Sequence, residues 1–179
     1  MRIIGGLHKG KTITVPKGLP LRPTTDFAKE GLFNILMNKI DFAGIEVLDL
    51  FSGTGNISFE FASRGAKSVT TVDMNGSSIH FVKDTATKLN LSIHANRENV
   101  FKHLSAAKKQ YDIIFADPPY ELPNIEEIHD LVMQQNMLKE NGWLIIEHGP
   151  KTNLTKLNYF VEQRKYGNVN FSFFQKINS

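Results

Sequence analysis

The chain has 179 residues, 41% of them hydrophobic, a size and composition suited to one domain built around one core. It contains no cysteine, which excludes disulfides, thiolate zinc sites and a cysteine nucleophile, suits a reducing cytoplasm, and leaves no metal expected. Net charge is +3 but uneven: residues 1–25 hold Arg2, Lys9, Lys11, Lys17 and Arg22 with no acid, against 16 Lys and Arg and 18 Asp and Glu in the rest.

A basic arm of this kind on a near-neutral body is the footprint expected of a phosphate-backbone partner, although short basic stretches also serve as solubilising tails. The arm, residues 1–25, reads as short β segments broken by glycine turns at Gly5-Gly6 and Gly10, a hairpin-like extension of a catalytic core over residues 26–179. No apolar run approaches the roughly 18 residues of a membrane span, so no membrane partner is expected.

Beyond Leu21-Arg22-Pro23-Thr24, Thr25 or Asp26 can cap a helix whose Ala28, Leu32, Ile35 and Leu36 share a face. Strands and helices then alternate: strand 46–51, helix near 57–63, strand 68–72, helix near 77–89, strand 92–95, helix near 101–107, strand 111–116, helix near 125–137 and strand 142–147. That order predicts an α/β fold with a mostly parallel, doubly wound sheet. Segments 159–166 and 169–176 are separated only by Gly167-Asn168, too short for a parallel crossover, so the sheet is expected to end in an antiparallel hairpin.

Val47-Leu48-Asp49-Leu50-Phe51 is a buried-type strand running into Ser52-Gly53-Thr54-Gly55-Asn56, a turn that lets a ligand approach backbone amides at the next helix N-terminus. A dinucleotide fingerprint wants glycine three residues after Gly55, where Ser58 stands, so a nicotinamide cofactor is disfavoured. Asp73 ends the next strand 18 residues after Gly55, close to the roughly 20 expected of a carboxylate that accepts ribose hydroxyls. S-adenosylmethionine, which would leave as S-adenosylhomocysteine, meets these features without a pyrophosphate. Its carboxylate can use the amides near Gly53 and Gly55, its ribose Asp73, and its cationic end Asp49. Asp49 can equally be a structural acid bonding the turn, and Asp73 a helix cap. The loop after the third strand, Glu98-Asn99-Val100-Phe101, offers a side-chain amide, a backbone N–H and apolar surface to adenine, with Phe101 expected in the core.

Asp117-Pro118-Pro119-Tyr120 follows Tyr111–Ala116, at a strand's carboxyl end, where open α/β sheets place their ligands. An exocyclic base amine needs two acceptors for its hydrogens to aim its nitrogen at a methyl donor, and the Asp117 carboxylate and Pro118 carbonyl can supply them. Two prolines remove competing N–H donors, and Tyr120 can stack on the base, which must leave its own stack to enter.

In order along the chain stand Arg2-Ile3-Ile4-Gly5-Gly6, Leu21-Arg22-Pro23-Thr24-Thr25-Asp26, Glu30-Gly31-Leu32-Phe33-Asn34, Asp49 through Gly55, Ser63-Arg64-Gly65-Ala66 and Asp117 through Tyr120. Together they resemble the RsmD family, the bacterial 16S rRNA guanine(966)-N2 methyltransferases. The resemblance implies a class I S-adenosylmethionine-dependent (Rossmann-like) sheet of seven strands and, as partner, 16S rRNA in the small ribosomal subunit. A monomer is expected. By resemblance the cofactor would be held by Asp49, Phe51, Ser52, Gly53, Thr54, Gly55, Asn56, Asp73, Met74, Asn99, Val100 and Asp117. The guanine amine would meet Asp117, Pro118, Pro119 and Tyr120, and RNA would meet Arg2, Lys9, Lys11, Arg22, Pro23 and Thr24. Three positions depart from the family: Phe27 stands where many members have arginine, Asn56 replaces a small apolar residue, and Asn99 sits where an acid often contacts adenine. An N6-adenine methyltransferase on RNA or DNA and a non-catalytic RNA-binding assembly factor are the rival readings.

Overall fold

The computed structural model describes residues 1–20 and 24–177. Seven strands form one sheet: β1 (Glu46–Leu50), β2 (Ser68–Asp73), β3 (Ile93–Arg97), β4 (Tyr111–Ala116), β5 (Leu138–His148), β6 (Phe160–Tyr166) and β7 (Val169–Gln175). Their spatial order is β3-β2-β1-β4-β5-β7-β6. The first five run parallel, and β7 pairs antiparallel with both β5 and β6. The chain thus forms the expected mostly parallel sheet closed by an antiparallel hairpin.

Helices cover both faces because buried strands here are apolar on both sides. On one face α1 (Asp26–Met37) and α2 (Asn56–Ser63) pack through Leu32, Phe33, Leu36 and Phe61 onto Val47, Phe115, Ile145 and Phe173. On the other, α4 (Val100–Ala106) and α5 (Glu126–Gln134) pack through Leu104, Ile128 and Val132 onto Leu48, Leu50, Ile114 and Ile146. The remaining helix, α3 (Gly76–Leu89), joins Phe59 of α2 through Ile79, Val82 and Ala86. Thr25 is the cap of α1, its hydroxyl accepting the Ala28 amide at 3.1 Å. Phe33 and Lys29 are buried on α1, whereas Ile35, expected on the inner face, is only half-buried.

Two boundaries differ by three or more residues from those read in the sequence. The helix expected to reach Met137 ends at Gln134, and β5 starts at Leu138, four residues before its expected start. Asn136 and Asn141 adopt left-handed backbone conformations, φ 49° and 59°, and the register slips between the Tyr111–Leu138 and Ile113–Trp143 pairs. Lys139-Glu140-Asn141 is too polar to be read as strand, yet it is bridged to the sheet by that irregularity.

The basic arm is laid against α2. A single antiparallel bridge joins Arg2 to Thr12, and Ile3 and Ile13 are buried against Phe59, Ile79 and Val82. The Ile4 amide donates to Glu60 (3.1 Å), the Leu7 amide to the Ser63 carbonyl (2.7 Å), and the Ser63 hydroxyl to the Gly5 carbonyl (2.7 Å). A Cβ on Gly6, whose φ is +74°, would collide with the Ser63 carbonyl, so the arm's close approach to the end of α2 requires glycine there. Beneath the arm, buried Lys29 donates to the Arg2 carbonyl and the Asn56 side-chain oxygen (2.9 Å) and pairs with Glu60 at 3.2 Å. Glu60 also binds Arg64 at 3.0 Å.

Candidate active site

β1 lies between β2 and β4, the point where the strand order reverses and where open α/β sheets form their ligand crevice. A cavity of about 420 Å³ opens there, within the range typical of small-ligand sites. Asp49, Phe51, Ser52, Gly53, Thr54, Asn56, Asp73, Met74, Asn99, Val100 and Asp117 all line it. Eleven of the twelve residues named for the cofactor therefore meet in one place; Gly55 is not among the lining residues.

Gly55 instead forms the N-cap of α2 at φ 83°, with space for a Cβ taken by Val82 and Phe59. It has no side chain with which to cap the helix, and Asp49 approaches the helix start from the strand. Its carboxyl accepts the Ser58 hydroxyl at 2.5 Å, and the Ser58 hydroxyl also meets Thr71 at 2.8 Å. Asp49 is only 1% exposed. Burial pushes its carboxyl up to about 7, against the lowering effect of Ser58, with Asp73 adding like-charge repulsion. The structural reading of Asp49 thus holds alongside its position on the cavity wall.

The Gly53 and Gly55 amides, expected to meet a ligand carboxylate, already donate within the protein. Gly53 donates to Asp73 Oδ2 and Gly55 to the Ser52 carbonyl, both at 2.9 Å. Asp73 also accepts the Asn75 amide on Oδ1 at 2.8 Å, so its two oxygens are fixed by backbone while each retains a lone pair directed elsewhere. Asn75, not Asp73, caps α3. Asn99 caps α4, its side-chain oxygen accepting the Lys102 amide at 3.1 Å, and its amide nitrogen reaches the Met74 sulfur at 3.6 Å. Phe51 stands at φ 57° and packs edge-on against Phe101, ring centres 6.2 Å apart. Phe101, expected in the core, lines the cavity as well.

At the acceptor end the Asp117 amide donates to the Leu50 carbonyl at 3.2 Å, which ties the Asp-Pro-Pro-Tyr loop to β1. Asp117 and Pro119 line the cavity, with Leu122 next to them; Pro118 is buried, and Tyr120 is half-buried behind the wall. The Tyr120 hydroxyl donates to Glu147 Oε1 at 3.2 Å, and Thr24, also on the cavity wall, donates to Glu147 Oε2 at 3.3 Å. Arg22 and Pro23 lie outside the described residues. Pro20, Ile57, Phe115 and Leu122 line the cavity without having been singled out in the sequence, as does Phe101, whose loop was expected at adenine but whose ring was expected in the core; Glu147, bonded to Tyr120, was left out of the expected site. Of these, Leu122 and Phe101 had a signal in their nearness to the two motifs. Glu147 had only its place at a strand end.

Arg2, Lys9 and Lys11 are exposed, but at different distances from the cavity. Arg2 sits by Lys29 and Asn56 at the cavity end of α2, whereas the hairpin tip at Leu7 and His8 sits by Ser63 at its far end. Eight helical residues separate these ends by about 12 Å. Phe27 is 65% exposed, edge-on to Tyr166. Asn56, the second departure, holds buried Lys29.

Sheet order, the terminal antiparallel strand and a crevice walled by Asp49, Asp73 and Asp117 define the fold of the S-adenosylmethionine-dependent methyltransferases. A solved structure described as a putative methyltransferase, yhhF, from Escherichia coli superposes with TM-score 0.87 at 25% identity, covering 100% of this chain and 99% of that one. The Thermus thermophilus 16S rRNA N2 G1207 methyltransferase, solved with AdoMet and guanosine, shares the fold at TM-score 0.71 and 22% identity over 89% of this chain and 45% of its own. Residues 1–175 match the family described as Conserved hypothetical protein 95. Ribosomal RNA small subunit methyltransferase D of Buchnera aphidicola (subsp. Baizongia pistaciae) is 32% identical over 100% of this chain and 93% of its own length. The chain belongs to this family, the RsmD family that its motifs resemble.

Proposed function

We propose that the protein transfers a methyl group from S-adenosylmethionine to the exocyclic N2 amine of a guanine in 16S ribosomal RNA, at a position of the guanine-966 type in the small subunit. The observation that carries the reading is the meeting of the Asp117 loop and the Asp49–Asn56 loop on one cavity wall, joined by the Asp117 amide to Leu50 carbonyl bond. The name of the Buchnera relative supports ribosomal RNA of the small subunit as the target.

The lining residues fit the donor. Asp49 offers negative charge to a cation, Asp73 is an oriented acceptor for ribose hydroxyls, and Met74, Val100, Phe101 and Leu122 offer apolar surface to a purine. When bound, S-adenosylmethionine supplies an electrophilic methyl group activated by its sulfonium. Asp117 accepts one N–H of the target amine, and the Pro118 carbonyl the other, aiming the nitrogen lone pair. The amine becomes strongly acidic only as the new bond forms, so its proton can leave through Asp117 or water without prior deprotonation. Tyr120 gives the flipped base an aromatic face.

The test is transfer of labelled methyl to small ribosomal particles that lack their native methylation, followed by nucleoside mass analysis. N2-methylguanosine at one site is the expected product. N6-methyladenosine would replace this reading with the adenine one, and neither transfer nor cofactor binding would leave a non-catalytic assembly factor.

A further inference from the structure

Glu147 is next to last in strand β5 and is 3% exposed, an expensive place for a carboxylate. It bonds across the acceptor end of the cavity in two directions. One oxygen accepts the Tyr120 hydroxyl and the other the Thr24 hydroxyl, 123 residues away along the chain. Thr24 lines the cavity from the segment entering α1, and Tyr120 closes the Asp-Pro-Pro-Tyr loop. One carboxylate therefore joins the two walls.

The residues after Glu147 complete the seat. A Cβ on Gly149 would lie 2.9 Å from Tyr120 Cδ2, so the tyrosine ring occupies the space that any side chain there would take. Neighbouring His148 is fully buried, its Nδ1 donating to the Gly149 carbonyl at 3.0 Å and its Nε2 accepting from the Ser172 hydroxyl at 2.8 Å. Burial holds its pKa below the ordinary histidine value, consistent with a neutral ring in those two roles. The glycine that admits the ring is thus itself fixed to β7.

We infer that Glu147 is a positioning residue for methyl transfer, fixing the Tyr120 ring at the angle and height at which the acceptor base stacks. This rests on the proposed acceptor site. A base held by stacking on a ring free to tilt would present its amine off line to the donor, and misplacement on the scale of an ångström costs about a hundredfold in rate. The effect belongs in turnover, since neither Glu147 nor Tyr120 is among the cavity residues placed at the cofactor.

The experiment measures methyl transfer to unmethylated small ribosomal particles and, separately, S-adenosylhomocysteine binding by calorimetry. Glu147→Ala is expected to lower kcat about ten- to a hundredfold while leaving S-adenosylhomocysteine affinity within about twofold. Tyr120→Phe, which keeps the ring and removes the hydroxyl, should lose a comparable factor, and the double variant should be no slower than the slower single one. Glu147→Gln should recover most of the rate, because its amide can accept from Tyr120 and donate to Thr24. Wild-type kcat in Glu147→Ala, or losses that multiply in the Glu147→Ala and Tyr120→Phe double variant, would overturn the inference; wild-type kcat in Tyr120→Phe alone would overturn it even if Glu147→Ala fails to fold. If Tyr120→Ala itself transfers at full rate, the acceptor site is wrong, a separate failure.

Discussion

Asp49 combines charge, burial and a place on the cavity wall in a single residue. Its carboxyl, pushed up to about 7, lies above the ~3.9 of an unfolded aspartate, so the folded protein holds this proton more tightly than the unfolded chain. The stability it contributes is full below about pH 4 and is lost as pH climbs towards 7. The same titration should reach binding, because only the ionised carboxylate attracts a sulfonium. Affinity for S-adenosylmethionine is expected to rise as pH passes about 7, and that for S-adenosylhomocysteine, which lacks the charge, to rise less. Calorimetry on both ligands across that range would show parallel curves if Asp49 did not face the cationic end. At Asp117, substitution by alanine should abolish turnover while cofactor still binds; full turnover would refute the acceptor role. Asp73→Ala should mainly weaken cofactor binding, and more than Asp73→Asn, because the alanine also releases the Gly53 and Asn75 amides. These aspartates were legible because each ends an apolar strand beside a distinctive local loop. The internal engagement of the Gly53 and Gly55 amides was not, since a glycine turn shows where a ligand can approach and not which donors the protein itself has taken.

Among the elements, α2 connects the cavity, α1 and the arm. Its N-terminus forms the cavity floor at Asn56 and Ile57, its middle holds the Lys29–Glu60 pair, and its end receives the arm at Ser63 and Arg64. Removing one partner of a buried pair leaves the other charge uncompensated, so Glu60→Ala is expected to destabilise the protein by about 3–5 kcal/mol in chemical denaturation. A loss below about 1 kcal/mol, the scale of a surface pair, would show that Lys29 finds adequate partners in the Arg2 and Asn56 oxygens alone. Apolar periodicity found α1, but Lys29 could not be read as buried, because charged residues ordinarily face water and its partners come from the arm and from α2. The contacts of Glu147 were likewise not legible, because they join segments far apart in sequence. The strands β1, β2 and β4 were legible almost to the residue, since continuous apolar runs between turn residues leave few alternatives. The start of β5 was masked by a polar bulge.

Across the whole molecule, charged clusters stand at the sheet's amino end as well as around the cavity. Glu46, at the amino end of β1, is held at about 2 by hydrogen bonds from Lys139 and Lys109. Its stabilisation is present above the ordinary glutamate range and is lost as pH falls from about 4.3 towards 2, opposite in sign to Asp49. Neutralising Arg2, Lys9 and Lys11 together should weaken RNA binding and flatten its dependence on salt, as expected when phosphate contacts are lost. An unchanged salt slope would assign those charges to solubility. Arg2 alone should account for more of the effect than Lys9, because the hairpin tip stands at the far end of α2. The docking of the arm also has a consequence for synthesis. Residues 2–8 are made before Lys29, Glu60, Ser63 and Arg64, the residues that seat them against α1 and α2. This stretch of the nascent chain must therefore wait, unplaced, until α2 has been made.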